Sequence, residues 1–134
     1  MHFDLLDQVL EQSDTRIVTL KSVSRAEEYL QDHFATFPVL PGVLMIESLV
    51  HAARRLVQDR APNTRLVLGG VRAVKYGRFV RPGEGLVVEV NLMKQEGETF
   101  EFKGEGKVRG VDGQLLPDAT AVSGRFSLRP VKIS

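Results

Sequence analysis

The chain has no cysteine, so disulfides, thiolate catalysis and Cys-ligated zinc are excluded. Its three histidines, His2, His33 and His51, stand far apart without metal-ligand spacing, and neither a metal nor another cofactor is expected. No apolar run reaches the roughly 18 residues of a membrane-spanning helix. Met1-His2-Phe3-Asp4 opens with an acid where a secretion signal would carry bases and then an apolar stretch. The expectation is a cytoplasmic protein that spans no membrane. Repeats, low-complexity tracts and linkers are also missing, so residues 1–134 are expected to form one domain. What remains is ordinary folded composition, 43% hydrophobic and 26% charged with a net charge of +1.

That charge is unevenly placed. Residues 1–32 hold seven acids and three bases, whereas residues 60–83 hold six bases, Arg60, Arg65, Arg72, Lys75, Arg78 and Arg81, and no acid. A solvated strand face explains such a run as well as a surface that steers an acidic partner. Only Tyr76 and Phe79 interleave with these bases, and no nucleic-acid-binding motif accompanies them, so nucleic acid is not expected.

The stretch from His33 to Val57 organises the rest. Pro38 and Pro41 disfavour helix in the residues before them, and at Gly42 the pattern changes to a long apolar run, which predicts a helix from about Val43 to Asp59. Its start lacks a Ser, Thr, Asp or Asn cap, although a helix N-terminus presents four N–H groups without internal partners. Gly42 leaves the backbone bare where the positive end of the helix dipole points, a natural site for a carbonyl or oxyanion. Glu47 follows about 7.5 Å along the axis, among Val43, Leu44, Met45, Ile46, Leu49 and Val50, where partial burial is expected. Glu47, His51, Arg54 or Arg55, and Gln58 also form one polar stripe, which solvation alone would explain.

Around this helix the chain reads as strands. Leu5 to Glu11 and Arg16 to Val23 predict a hairpin, and Ser24 opens a capping box for a short helix over 27–31 that leads to His33. Four further strands are expected: Leu66 to Val80 with breaks at Gly69-Gly70 and Gly77, Leu86 to Gln95, Thr99 to Val111, and Ala119 to Arg129. Gly97 and Asp112-Gly113 supply turns for an antiparallel meander. In the third strand Glu101, Lys103, Glu105 and Lys107 alternate with Phe100, Phe102, Gly104, Gly106 and Val108. The two glycines on the apolar face are read either as close packing and curvature or as room for a bound molecule. One helix on one face of five or six antiparallel strands is an α+β layer.

The segment His33-Phe34-x-x-x-Pro38-Val39-x-Pro41-Gly42-Val43-Leu44-x-x-Glu47 closely resembles the active-site segment of the FabZ-type β-hydroxyacyl-acyl carrier protein dehydratases. Phe3-x-Leu5-Leu6-Asp7, Arg16-Ile17-Val18, Val74-Lys75-Tyr76, Arg81-Pro82-Gly83-Glu84 and Phe102-Lys103-Gly104-Glu105 extend the likeness over nearly the whole chain. It implies a hotdog fold, an antiparallel sheet wrapped around one long central helix. It also implies a homodimer with shared active sites, or a trimer of such dimers, and an acidic acyl carrier protein bearing a phosphopantetheine-linked substrate. Ala35, His51, Gly77 and Phe79 depart from the family pattern, and the N-terminal segment common in the family is expected to be missing.

Dehydration of a 3-hydroxyacyl thioester needs a base for the α-hydrogen, a donor for the thioester oxygen and a proton for the leaving hydroxyl. His33 is suited to be the base, since an unperturbed imidazole is largely neutral at pH 7. Burial would suit Glu47 to be the acid, and the N–H of Gly42 or Val43 would receive the oxygen. His51, one turn beyond Glu47, is a candidate neighbour of that carboxylate. Lys75, Arg78 and Arg81 are the candidate carrier-binding bases. The same residues leave two other readings: a hotdog thioesterase in which Glu47 activates water, and a catalytically silent hotdog subunit that pairs with an active homologue.

Overall fold

In the computed structural model of the chain, residues 8–22 and 42–131 are described. They form strands β1 (Gln8–Gln12) and β2 (Arg16–Ser22), helix α1 (Gly42–Val57), and strands β3 (Leu66–Tyr76), β4 (Gly85–Glu96), β5 (Thr99–Arg109) and β6 (Leu115–Pro130). The expected helix over 27–31 lies outside the described residues. All six strands share one antiparallel sheet in the order β1-β2-β4-β5-β6-β3.

This order corrects the simple meander. β4, β5 and β6 do follow one another by hairpins, but β3 pairs with β6, from Leu66 opposite Pro130 to Tyr76 opposite Val122. Both sides of β4 are already taken, one by β2 and the other by β5. The strand leaving the helix therefore goes to the far edge. It ends at Tyr76, before the break expected at Gly77, but runs on through Gly69-Gly70, where the other break was expected. Its irregularities are shifts of register between Leu68 and Gly70 and between Arg72 and Lys75. Ala73 takes up the second shift at φ +53°, a left-handed conformation that costs a residue with a Cβ about 1–2 kcal/mol.

The helix packs through Met45, Leu49, Val50, Ala52, Ala53, Leu56 and Val57, all buried and recurring at helical spacing, against the inner face of the sheet. It ends two residues before the expected Asp59, because the Arg60 N–H bonds the Val57 carbonyl at 2.9 Å and tightens the chain into a turn before Pro62. β5 shows the anticipated alternation: Phe100, Phe102, Gly104, Gly106 and Val108 are buried, and the intervening charged residues are not. The Phe102 ring stacks on Phe126 with centroids 5.2 Å apart.

The inward glycines are contact points. A Cβ on Gly104 would stand 3.1 Å from Phe126 Cε1 and 3.2 Å from Leu49 Cδ2, and one on Gly106 would stand 2.9 Å from Leu86 Cδ1. Their space is occupied by this chain's own side chains, so they serve close packing, and the alternative of room for a bound molecule falls away at both positions. Turns match their residues: Gly97 and Gly113 sit at φ +60° and +86°, and the Gln114 N–H bonds Asp112 Oδ1 at 3.0 Å.

Candidate active site

α1 begins at Gly42, with no acidic residue in its first turn and, among the described residues, no side chain capping its N–H groups. The bare Cα is needed there. Tyr76, at the end of β3, lays its ring against Gly42 so closely that a Cβ would come within 3.0 Å of Tyr76 Cε1. Val43 next to it is 68% exposed and Tyr76 57%, so the open helix N-terminus carries an apolar margin in the single chain.

Glu47 lies on the open side of the helix with its side chain 43% exposed, and His51 Nε2 stands 3.8 Å from Glu47 Oε2. The spacing of four therefore does bring these two together. The fully buried polar residue of this segment is Ser48, whose hydroxyl donates to the Leu44 carbonyl at 2.9 Å. His33 lies outside the described residues, as does the loop that holds Pro38 and Pro41. Among the described residues no group of three or more His, Asp or Glu side chains gathers as metal ligands would.

The basic segment starts at the same end of the sheet. Lys75 precedes Tyr76 in β3, opposite Ser123. Arg78 follows the strand, donating from Nη1 to the Pro117 carbonyl at 3.1 Å, and the Arg81 N–H is held by Glu84 Oε1 at 2.8 Å. Between Lys75 and Arg78, the departure Gly77 has a steric cause: its N–H bonds the Ala121 carbonyl, and any Cβ would run into the Thr120 carbonyl oxygen. Tyr76 was quoted in the resemblance but given no part in the site. Its contact with Gly42 joins residues far apart in sequence, and only the Val74-Lys75-Tyr76 likeness marked the position.

No helix among the described residues is long and apolar enough to cross a membrane. Residues 9–113 match the ApeI-like family, described as ApeI dehydratase. The 3-hydroxyacyl-acyl-carrier-protein dehydratase FabZ of Lactococcus lactis subsp. cremoris (strain SK11) is 37% identical over 120 residues, spanning 88% of this chain and 81% of that protein. The FabZ of Petrotoga mobilis is 30% identical over 123 residues, 91% of this chain and 86% of its own. The dehydratase heterocomplex ApeI:P from Xenorhabdus doucetiae superposes with a TM-score of 0.76 at 24% identity, covering 96% of this chain and 84% of that one. An acyl-CoA hydrolase from Agrobacterium tumefaciens gives 0.67 at 15% identity, covering 92% and 47%. The two structures speak for the fold, and the sequences for more: this chain is a hotdog protein and belongs to the FabZ-type 3-hydroxyacyl-acyl-carrier-protein dehydratases.

Proposed function

We propose that the protein, one domain over residues 1–134, removes water from 3-hydroxyacyl thioesters carried on the phosphopantetheine of an acyl carrier protein, yielding trans-2-enoyl thioesters for fatty acid biosynthesis. The observation that carries this reading is the side-chain-free start of α1 at Gly42, without a cap among the described residues, with Glu47 on the open side of the same helix. His33 takes the α-proton, and the electron pair moves into the thioester carbonyl. The oxygen, now enolate-like, accepts from the N–H of Gly42 or Val43, a contact whose loss costs about 10²–10³ in rate in comparable sites. Glu47 protonates the departing hydroxyl as the carbon–carbon double bond forms, and one water leaves. Run backwards, the same groups exchange roles.

A second copy completes the site in this proposal. Val43 and Tyr76 are more than half exposed in one protomer and Glu47 is partly exposed, and β3 is an edge strand whose stretch from Gly69 to Ala73 is exposed. An edge of that length presents unpaired backbone groups that a second β3 would satisfy. The homodimer so formed, alone or as a trimer of dimers, would cover the helix start and bring His33 of one chain to Glu47 of the other. Lys75, Arg78 and Arg81 would receive the acidic carrier. We place the enzyme in the cytoplasm, where such carriers are loaded.

Mass spectrometry of 3-hydroxyacyl carriers of short, medium and long chain tests the reaction. The expected result is loss of one water, abolished in His33→Ala and Glu47→Gln. No conversion at any chain length would overturn the proposal.

A further inference from the structure

A cavity opens at the other end of α1. It has a volume of about 470 Å³ and is lined by Arg54, Arg55, Gln58, Pro62, Arg65 and Leu66, with Ala61 and Thr64. From Glu47 to Arg54, the first lining residue, the helix advances about 10 Å, so this cavity is separate from the candidate active site. Three guanidinium groups line it and no carboxylate does. Among the described residues, none of the three forms an ion pair; Glu98 accepts a hydrogen bond from the Thr64 hydroxyl without lining the cavity.

The ordinary explanation covers part of this. Cations in the last turn of a helix answer the negative end of its dipole, which accounts for Arg54 and Arg55. It does not account for Arg65, which belongs to the chain entering β3. Nor does it account for Arg54 being held in place, half-buried, by donation from Nε to the Leu66 carbonyl at 3.2 Å. Fixing one guanidinium by its Nε leaves the remaining N–H groups in a set orientation, the preorganisation that planar bidentate recognition of phosphate uses. The cavity is within the size range of small-ligand pockets and larger than an inorganic ion requires. Pro62, Ala61 and Leu66 add an apolar wall.

We propose that this cavity is a binding site for a phosphorylated organic molecule, its phosphate groups on Arg54, Arg55 and Arg65 and its ring or chain against Pro62 and Leu66. Nothing in the dehydration chemistry uses it.

The test is calorimetric titration of the full chain with ADP and with inorganic pyrophosphate, alongside thermal unfolding. The expected result is saturable binding of both at one site per chain, with ADP several-fold tighter and an upward shift in Tm. Arg55→Gln/Arg65→Gln should weaken ADP by at least about 30-fold, and the Arg55→Lys/Arg65→Lys pair by less, since charge survives and the fork does not. Arg54 is left intact in both because it also ties the helix to β3. No saturable binding by the wild-type chain, or binding by a folded Arg55→Gln/Arg65→Gln chain within twofold of wild type, would overturn the proposal. Equal affinity for ADP and pyrophosphate would overturn the organic body.

Discussion

Placing a methyl group on Gly104 tests how α1 seats on the sheet. The new Cβ of Gly104→Ala would meet Phe126 Cε1 at 3.1 Å and the two Leu49 methyls at 3.2 and 3.3 Å, inside the about 3.5–4.0 Å of good carbon contacts. Neither neighbour yields freely: Phe126 is stacked on Phe102, and Leu49 is 1% exposed in the core. Overpacking of this kind costs about 1–3 kcal/mol, from which the about 0.5–1 kcal/mol gained by removing a strand glycine is subtracted. Leu49→Ala opens the same space from the other side and costs about 2–5 kcal/mol. The double variant places the Gly104 methyl in part of the volume Leu49 vacates. It should therefore be more stable than the sum of the singles by about 0.5–3 kcal/mol. With a urea slope of about 2 kcal/mol/M, Leu49→Ala alone moves the midpoint down by about 1–2.5 M, and coupling of the size expected is readily resolved. Urea unfolding followed by circular dichroism, all variants at one protein concentration, measures it. Additivity within about 0.3 kcal/mol would refute the seating of Leu49 on Gly104. A Gly104→Ala enzyme that keeps its midpoint but accepts only shorter acyl chains would show instead that substrate occupies the space.

Gly77→Ala should destabilise more than Gly104→Ala, because its methyl meets a backbone carbonyl rather than a side chain; a midpoint within experimental error of wild type would contradict the approach to Thr120. Charge reversal of Lys75 and Arg78 should slow turnover of carrier-bound substrate more than that of a small thioester, with added salt mimicking the change, and equal losses would make the bases structural. His51→Gln removes the imidazole 3.8 Å from Glu47, so the pH profile of kcat/KM should change; an unchanged profile would assign His51 to the solvated stripe. Glu89 is held below its ordinary 4.5 by hydrogen bonds from Arg16 and then Asn91, so its contribution to stability is present above that value and lost as pH falls through the lowered one. Wild type and Glu89→Gln should accordingly differ in Tm at pH 7 and converge on acidification, and a constant difference would refute the linkage.

The parts legible in the sequence were those governed by local periodicity. Alternation along β5 and the apolar stripe of α1 required only neighbours within one element, and the i, i+4 spacing of Glu47 and His51 brought them together as helix geometry dictates. Pairings between distant segments were not legible. Nothing local distinguishes a β3 that pairs with β4 from one that pairs with β6, because its own side-chain pattern suits either neighbour. The Gly77 departure has the same origin, since the oxygen it avoids belongs to Thr120, a strand away. His33 was legible as a candidate only through the motif and the chemistry it would share with Glu47, and it lies outside the described residues.

The place of β3 at the far edge also sets the order in which the molecule is completed during synthesis. Leu66 waits for Pro130 and Tyr76 for Val122, so the helix N-terminus, with the tyrosine ring that lies against it, is assembled only after β6 has been translated. At about 5–20 residues per second the nascent chain carries an unpaired β3 for several seconds while β4 and β5 are added. The inner hairpins, whose partners are adjacent in sequence, close on a far shorter timescale. Closure of β3 on β6, like that of β2 on β4, joins segments far apart in sequence, and such long-range pairings slow folding; interrupting β6 would leave β3 unpaired beside an unfinished helix start.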